Sequence, residues 1–181
     1  MIQIEIIAGS PRQGSLNLRV AKYLHRAMQQ FTDIKTGLIA MNATPVPFIQ
    51  NVWTSMDKVP DAFKPLAERM FAAQGFIICS PEYNGAYSPA MKNLFDHFPK
   101  QARKPFGIVT SSDGRMGGIR ASQQLLQLVP ALFGIASPTL LIVPEADKKF
   151  DEEGNLLADA FHKNVEDFLH DYLWLVRKIV G

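Results

Sequence analysis

The sequence predicts an α/β protein in which helices cover both faces of a five-stranded parallel sheet. Five short apolar segments alternate strictly along the chain with five segments whose apolar residues recur every three or four positions. Such alternation is typical of parallel strands joined by right-handed crossovers. The segment Phe76–Cys79 is wholly apolar, as expected for a strand buried on both faces. Five strands fit the doubly wound order 2-1-3-4-5, a three-layer α/β/α sandwich.

The first three elements follow from local patterns. The isoleucine-rich segment Ile2–Ala8 ends before Gly9 and predicts a buried strand. After Ser15, apolar residues recur at spacings of four, four and three, which predicts an amphipathic helix bearing Val20, Leu24, Met28 and Phe31. The more polar segment Asp33–Met41 predicts a second strand near an edge of the sheet.

The middle of the chain adds a long loop and a second helix. Residues 42–60 have weak periodicity, and we interpret them as a loop in which Trp53 either packs over the core or lines a site. Pro65 suits the first turn of the second helix, and Gly75 is expected to end it. The third strand, Phe76–Cys79, follows directly.

Two further strands complete the predicted sheet. The pair Ser88–Pro89 predicts the cap and first residue of a third helix. Phe106–Thr110 is the predicted fourth strand, and the helix after it is expected to end at Gly134. Thr139–Val143 is the predicted fifth strand. The last helix is expected to bury a face made of Leu157, Phe161, Val165, Phe168, Leu169, Tyr172 and Val176.

The composition fits one domain over residues 1–181. The chain is 47% hydrophobic and 20% charged, and its formal charge is +2. This near balance argues against nucleic acid or an anionic membrane as the main partner. We see no apolar run long enough to span a membrane and no signal segment. The single cysteine, Cys79, lies in an apolar run, which favours inert burial. Together these features predict a cytoplasmic protein.

The loop Gly9–Asn17 joins the first strand to the first helix and has the composition of a phosphate site. A helix N-terminus offers unpaired N–H groups and a favourable dipole for anions. Ser10, Ser15 and Asn17 can donate hydrogen bonds, and Arg12 adds a charged fork. The alternative is a plain strand-to-helix turn with Ser15 as the N-cap. The loop has neither the Walker A pattern nor the G-x-G-x-x-G fingerprint.

Three irregular loops follow the first, third and fourth strands, and we expect them to converge. The second of them, Ser80–Tyr87, is rich in turn-forming residues, and the third, Ser111–Gly118, is the most glycine-dense loop of the chain. In a doubly wound sheet the ligand site lies at the carboxyl ends of the strands. The sequence therefore predicts a site built from these three loops.

No metal site or catalytic dyad is predicted. The four histidines, His25, His97, His162 and His170, lack metal-ligand spacing. We expect them to be surface or interface residues.

The motifs G-S-P-R-Q-G-S-L-N at Gly9–Asn17 and P-E-Y-N at Pro81–Asn84 occur together in this order. The helical segment Lys92–Asp96 and the pair Gly117–Gly118 follow them. This set resembles the NAD(P)H-dependent FMN reductase family, flavodoxin-like flavoenzymes that include quinone, azo-dye and chromate reductases. The resemblance covers essentially the whole chain.

The resemblance implies FMN as the cofactor and NADPH or NADH as the electron donor. The family's phosphate-binding positions match Ser10, Arg12, Ser15, Leu16 and Asn17. Its loop along the ribityl chain and flavin ring matches Pro81, Glu82, Tyr83 and Asn84. Its loop at the ring edge matches the segment containing Ser111, Ser112, Gly114 and Gly117. Family members are commonly homodimers or homotetramers.

Two roles remain open for several of these residues and their neighbours, one structural and one functional. Glu82 could tie the loop by hydrogen bonds or contact the flavin. Lys92 and Asp96 could form an ordinary ion pair between helix positions i and i+4 or take part in catalysis. Tyr87 could pack the loop against the third helix or contact a second subunit.

The resemblance implies an enzyme that reduces quinones, azo compounds, metal oxyanions or free flavin by ping-pong hydride transfer. The alternatives are a non-catalytic FMN-binding electron carrier and a redox-sensing flavoprotein. Arg12 and the balanced charge argue against a carrier, because carriers of the flavodoxin kind are strongly acidic and use uncharged phosphate loops. The chemistry belongs to the cofactor, so no catalytic side chain is expected.

Overall fold

A computed structural model describes all residues 1–181 as a parallel sheet covered by helices on both faces. The strands are β1 Ile2–Ala8, β2 Ile34–Ala40, β3 Gly75–Pro81, β4 Pro105–Ser111, β5 Ile135–Ala136 and β6 Leu141–Val143. The helices are α1 Leu16–Met28, α2 Lys64–Ala72, α3 Pro89–Asp96, α4 Ile119–Ala131, α5 Ala146–Lys149 and α6 His162–Val180. The strand order is β2-β1-β3-β4-β5, and β6 also pairs with β4. The predicted order is confirmed, and β2 is an edge strand.

Two apolar clusters hold the layers together. One lies between the sheet and the helices α1 and α6 and includes Leu24, Val109, Phe168 and Tyr172. The other lies between the sheet and the helices α2, α3 and α4. The strands β3 and β4 are buried along almost their whole length, because both faces are covered. None of the helices combines the length and the apolar character needed to cross a bilayer.

The predicted fifth strand, Thr139–Val143, is shorter in the structure, where it spans Leu141–Val143, and a further short strand that was not predicted precedes it. Ile135–Ala136 pairs with the start of β4, and Leu141–Val143 pairs with its end. Pro138 lies between them and has no N–H to donate, so the ladder is interrupted there. Gly134 does not end α4, which stops at Ala131.

Several predicted helix boundaries are also wrong. The last helix begins at His162, and Leu157 is 59% exposed outside it. Two turns precede it: one in which Asp151 accepts hydrogen bonds from the Asn155 backbone N–H (2.7 Å) and side-chain amide (2.8 Å), and a 3-10 turn at Asp159–Phe161 that contains the predicted Phe161. Phe31 follows α1 and packs on the core from the next turn. Gly75 starts β3, and α2 ends before it at Ala72.

Trp53 packs over the core, the first of its two predicted alternatives. Its ring lies 4.4 Å from the ring of His97 and 5.3 Å from that of Phe63, measured between centroids. His97 is therefore not the surface or interface residue that was predicted, since it is only 2% exposed. Its Nδ1 lies 2.7 Å from the carbonyl oxygen of Asn93, one turn earlier. Nothing in the sequence around His97 distinguishes a buried histidine from an exposed one.

An ion pair between a buried carboxylate and a partly exposed arginine joins the central sheet to α2. Glu5 in β1 is 2% exposed, and its carboxylate accepts two hydrogen bonds from the guanidinium of Arg69 in α2. Gly37 lies opposite Glu5 in the register of β1 and β2. A Cβ at that position would lie 2.7 Å from both the Arg69 guanidinium and one carboxylate oxygen, and closer still to the other. The absent side chain of Gly37 therefore makes room for the pair.

Removing the cation of this pair should destabilise the protein strongly. We expect the Arg69→Met substitution to lower the free energy of unfolding by about 3 kcal/mol, because it leaves a buried carboxylate without its partner. Urea denaturation measures this change. The control is Lys64→Met, which breaks the exposed pair with Asp61 and should cost less than about 1 kcal/mol. Equal losses in the two variants would contradict a special role for the buried pair.

Candidate functional site

The three irregular loops converge at the carboxyl edge of the sheet around an open cavity of about 500 Å³. All of the predicted site residues line it except Gly114 and Gly117. They are Ser10, Arg12, Ser15, Leu16, Asn17, Pro81, Glu82, Tyr83, Asn84, Ser111 and Ser112. The cavity also contacts Gln13, Gly14 and Asp113, which the prediction did not include.

The first loop opens the N-terminus of α1 toward this cavity. Ser15 is the N-cap, with an extended backbone, and its hydroxyl accepts a hydrogen bond from the N–H of Leu18 at 3.2 Å. The N–H groups of Leu16 and Asn17 in the first turn have no intrahelical acceptor. The capping role and the anion-binding role therefore coexist in the same turn. Their donors and the positive end of the helix dipole suit a phosphate.

Gly9 allows the first loop to leave β1 in close contact with β3 and α3. Its N–H donates to the carbonyl of Cys79 at 2.8 Å, and its own carbonyl accepts the hydroxyl proton of Ser88. A Cβ on Gly9 would lie 2.6 Å from the methyl carbon of Met91. A larger residue at this position would therefore require the Met91 side chain to move.

Arg12 lies at the cavity as a cation without a carboxylate partner. Its guanidinium carbon is 4.6 Å from the centroid of the Tyr83 ring, a cation–π contact. The hydroxyl of Tyr83 is 3.0 Å from that of Ser10, which also accepts the N–H of Arg12 at 3.3 Å. These contacts connect the first loop to the second. They also orient Arg12 while leaving its charge available to an anion.

The second loop contains a tight turn at Asn84 and Gly85. Both residues have positive φ, 53° and 83°, as a type I′ turn requires. The N–H of Tyr83 donates to the carbonyl of Ala86 at 2.8 Å, and the reverse bond measures 3.1 Å. Asn-Gly is the usual sequence for this turn, so the sequence contained a signal for its geometry that the prediction did not use.

Glu82 has a structural role in this loop. Its carboxylate accepts the backbone N–H of Arg120 at 3.1 Å and lies 3.5 Å from the guanidinium of the same residue. Gly118, the N-cap of α4, has no side chain with which to cap the helix. Glu82 therefore supplies the negative charge that the first turn of α4 favours.

The third loop is held against β6. The carbonyl of Gly114 accepts hydrogen bonds from the N–H groups of Gly117 and Glu145, both at 3.2 Å. Gly117 has a φ of 59°, and a Cβ there would lie 2.7 Å from the nitrogen of Pro144. Gly114 and Gly117 thus shape the loop rather than line the cavity. The Ser112 N–H donates to the carbonyl of Val143 at 3.2 Å.

Two buried polar groups at the cavity have no partner within the protein. The side-chain nitrogen of Asn17 and the hydroxyl of Ser111 are both buried and make no hydrogen bond. Buried polar atoms are nearly always paired, so unpaired ones beside a cavity suit a ligand with several polar groups. These two polar groups, the free guanidinium of Arg12 and the open N-terminus of α1 fit the phosphate and the ribityl hydroxyls of FMN.

The family model for NADPH-dependent FMN reductases matches residues 2–148 of the chain. The chain belongs to this family. It is therefore an FMN-dependent NAD(P)H oxidoreductase, and the predicted family and cofactors are confirmed. The match includes all three loops of the cavity and ends within α5.

Curated relatives of the chain are described as FMN-dependent NADPH-azoreductases. The chain is 31% identical over 163 residues to an FMN-dependent NADPH-azoreductase of Staphylococcus haemolyticus, which covers 85% of this chain and 83% of the relative. It is also 31% identical over 157 residues to an FMN-dependent NADPH-azoreductase of Staphylococcus aureus strain USA300, covering 83% of this chain and 81% of the relative.

Solved structures share the fold. The flavoenzyme NAD(P)H:(acceptor) oxidoreductase FerB of Paracoccus denitrificans superposes with a TM-score of 0.80 at 17% identity, over 99% of both chains. A flavodoxin variant of Pseudomonas aeruginosa gives a TM-score of 0.60 at 14% identity, over 97% of this chain and 99% of that one. The predicted flavodoxin-like fold is confirmed.

The Lys92–Asp96 pair and the thiol of Cys79 do not line the cavity. Lys92 and Asp96 form an ion pair at 2.5 Å between positions i and i+4 of α3, which was one of their two predicted roles. Cys79 is fully buried inside β3, and burial raises the pKa of its thiol. A buried neutral thiol is a poor nucleophile, so the cysteine acts as a core residue.

Cys79 should be unreactive in the folded protein. We expect the native protein to give no reaction with Ellman's reagent at pH 8, because burial keeps the thiol protonated and out of reach. One equivalent should react once the chain is unfolded in guanidinium chloride. Absorbance at the thiolate product band measures both. Rapid stoichiometric labelling of the native protein would contradict the burial of Cys79.

Proposed function

We propose that the protein uses FMN in the loop cavity to transfer electrons from NADPH or NADH to small acceptors, in a ping-pong sequence. The acceptors are quinones, azo compounds, metal oxyanions or free flavin. The observation that carries the proposal is the convergence of an uncompensated cation, an open helix N-terminus and unpaired buried donors on one cavity. The azoreductase relatives support an azo compound among the acceptors.

The first loop is proposed to hold the phosphate of FMN. Arg12 supplies the charge, and Leu16 and Asn17 supply backbone N–H groups at the start of α1. Ser10 and Ser15 supply hydroxyls, one bonded to Tyr83 and one to Leu18. Hydrogen bonds between a charged donor and a phosphate are stronger than neutral ones, so Arg12 is expected to contribute most.

The second and third loops are proposed to hold the ribityl chain and the flavin ring. Pro81, Glu82, Tyr83 and Asn84 belong to the second loop, whose shape depends on the turn at Asn84. Ser111 and Ser112 lie at the end of β4, where Ser111 has a free hydroxyl. Gly114 and Gly117 are proposed to act indirectly, by fixing the third loop against β6.

The chain's part in catalysis is binding and orientation. Bound FMN accepts a hydride from a nicotinamide and returns electrons to an acceptor, and the protein needs no nucleophile for this. The cavity is open to solvent along one side, with Arg12, Asn84 and Asp113 exposed at its rim. Donor and acceptor are proposed to use this opening in turn, which is the basis of the ping-pong sequence.

We also propose that the protein works as a homodimer or homotetramer in the cytoplasm. Large apolar side chains are exposed in and directly after the third loop, namely Met116 in the loop and Ile119 at the start of α4. Phe48, in the loop bonded to Asn93 of α3, is 84% exposed. Exposed apolar groups of this size favour a protein contact. Tyr87 lies in the same region and is half-buried.

Arg12 should distinguish FMN from riboflavin. We expect Arg12→Ala to weaken FMN binding about 10- to 100-fold, because it removes a charged hydrogen bond worth roughly 1.5–3 kcal/mol. Riboflavin, which lacks the phosphate, should lose less than about twofold by the same reasoning. Flavin fluorescence titration of the apoprotein measures both affinities.

The matched control is Arg115→Ala, which removes an exposed arginine of the third loop that does not line the cavity. It should leave both affinities unchanged. Thermal unfolding of the two variants checks that neither has lost its fold. An equal loss of FMN and riboflavin affinity in Arg12→Ala would contradict the phosphate assignment.

Steady-state kinetics test the reaction itself. With NADPH and either a quinone or an azo dye, we expect parallel double-reciprocal lines, because the two substrates use one opening in turn. Anaerobic NADPH should remove the visible absorption of the flavin, and the acceptor should restore it. Intersecting lines would refute the ping-pong sequence, and a spectrum that NADPH leaves unchanged would refute the reductase activity.

A further inference from the structure

A second concavity of about 600 Å³ lies on the outer surface of the layer formed by α1 and α6. It shares no lining residue with the flavin cavity. Tyr23 and Ala27 of α1 form one wall, Gln30 and Phe31 close the end, and α6 forms the other wall. Its volume falls within the roughly 300–1,000 Å³ typical of small-molecule sites. We call this concavity the α1–α6 groove.

One face of α6 supplies the upper wall of the groove. Five residues at every fourth position line it: His162, Glu166, His170, Trp174 and Lys178. Residues at i and i+4 lie above one another on a helix, so they form a continuous ridge. Below the ridge, the buried side chains of Val165, Leu169 and Leu173 form an apolar floor.

The groove is lined by aromatic rings that remain in contact with water. Trp174 is 54% exposed, although it lies beside the apolar floor. The Phe31 ring packs under the guanidinium of Arg177, 5.9 Å away. Tyr23 forms the opposite end of the groove. Flat faces of this kind bind a planar ring well, because stacking adds to the burial of apolar area.

The charges of the groove are separated along its length. At the Tyr23 end, the Tyr23 hydroxyl lies 2.9 Å from Nδ1 of His162, whose Nε2 lies 3.3 Å from the Glu166 carboxylate. At the Phe31 end, Arg177 is neutralised by two hydrogen bonds to Asp33, at 2.9 and 3.1 Å. Lys178 forms no ion pair.

We propose that the α1–α6 groove binds a planar aromatic acid. The ring lies on the apolar floor against Trp174, and the acidic group lies at the Phe31 end against the ammonium of Lys178. The carboxylate of Glu166 excludes the acidic group from the other end. A neutral aromatic compound of the same shape binds more weakly, because it leaves Lys178 without a partner.

The test uses the FMN-loaded protein with 2-naphthoate as the probe and its neutral amide, 2-naphthamide, as the matched compound. Calorimetric titration gives affinity and stoichiometry. The flavin absorption spectrum reports any binding at the flavin cavity. The variants are Lys178→Gln and Trp174→Leu. The control is Lys163→Gln, which removes an exposed α6 lysine outside the groove that pairs with Asp167.

We expect one naphthoate per chain without a change in the flavin spectrum. Lys178→Gln should weaken naphthoate about threefold to fivefold, the effect of one exposed ion pair, and leave naphthamide unchanged. Trp174→Leu should weaken both compounds roughly fivefold through lost stacking. Lys163→Gln should change neither affinity.

Three results would overturn the proposal. The first is no naphthoate binding at millimolar concentration. The second is binding that changes the flavin spectrum and is insensitive to Trp174→Leu, which would locate the acid in the flavin cavity alone. The third is a lower oligomeric state of Trp174→Leu in sedimentation velocity, which would make the groove a contact between copies of the chain.

Discussion

A short hydrogen-bond network around Gly9 determines where the cavity loops lie. Gly9 donates to β3 through the carbonyl of Cys79 and accepts the hydroxyl of Ser88, the N-cap of α3. The N–H of Ser88 in turn donates to the hydroxyl of Ser80 at 2.9 Å. The end of β1, the end of β3 and the start of α3 are thus tied at one point. A Cβ at Gly9 would lie 2.6 Å from the methyl carbon of Met91 and 3.1 Å from the carbonyl oxygen of Cys79, so glycine eases this close approach.

The acidic side chains Glu5 and Glu82 have partners within the protein, whereas the cation Arg12 has none. Glu5 is buried in the sheet and is matched by Arg69, and Glu82 is matched by the start of α4 and by Arg120. Arg12 is a cation at the cavity without such a partner. A partner for a buried carboxylate such as Glu5 avoids the high cost of an isolated buried charge, whereas an exposed unpaired cation remains available to an anionic ligand. The α1–α6 groove repeats this contrast on a smaller scale, with Arg177 paired and Lys178 free.

Much of the fold and of the cavity could be predicted because local patterns carry the information. Strand order and the convergence of the three loops follow from alternation and from the geometry of parallel sheets. The short strand Ile135–Ala136, which precedes Pro138, and the late start of α6 at His162 were missed. The first is only two residues long, too short to give a periodic pattern, and in the second the apolar period of α6 continues back into a turn that is not α-helical. Gly114 and Gly117 have the composition of a binding loop, yet Gly117 packs against β6 and the Gly114 carbonyl accepts hydrogen bonds from Gly117 and Glu145.

The sequence by itself determined the α/β class, the family and the residues that gather at the carboxyl edge, because periodicity and ordered motifs are properties of the chain. Only the tertiary structure decided which of those residues contact the cavity, that Glu5 finds Arg69, and that His97 is buried against Trp53. It also brought α1 and α6 together to form the groove. Burial and pairing depend on contacts between residues far apart in the sequence, and no local pattern records which partner a side chain will meet.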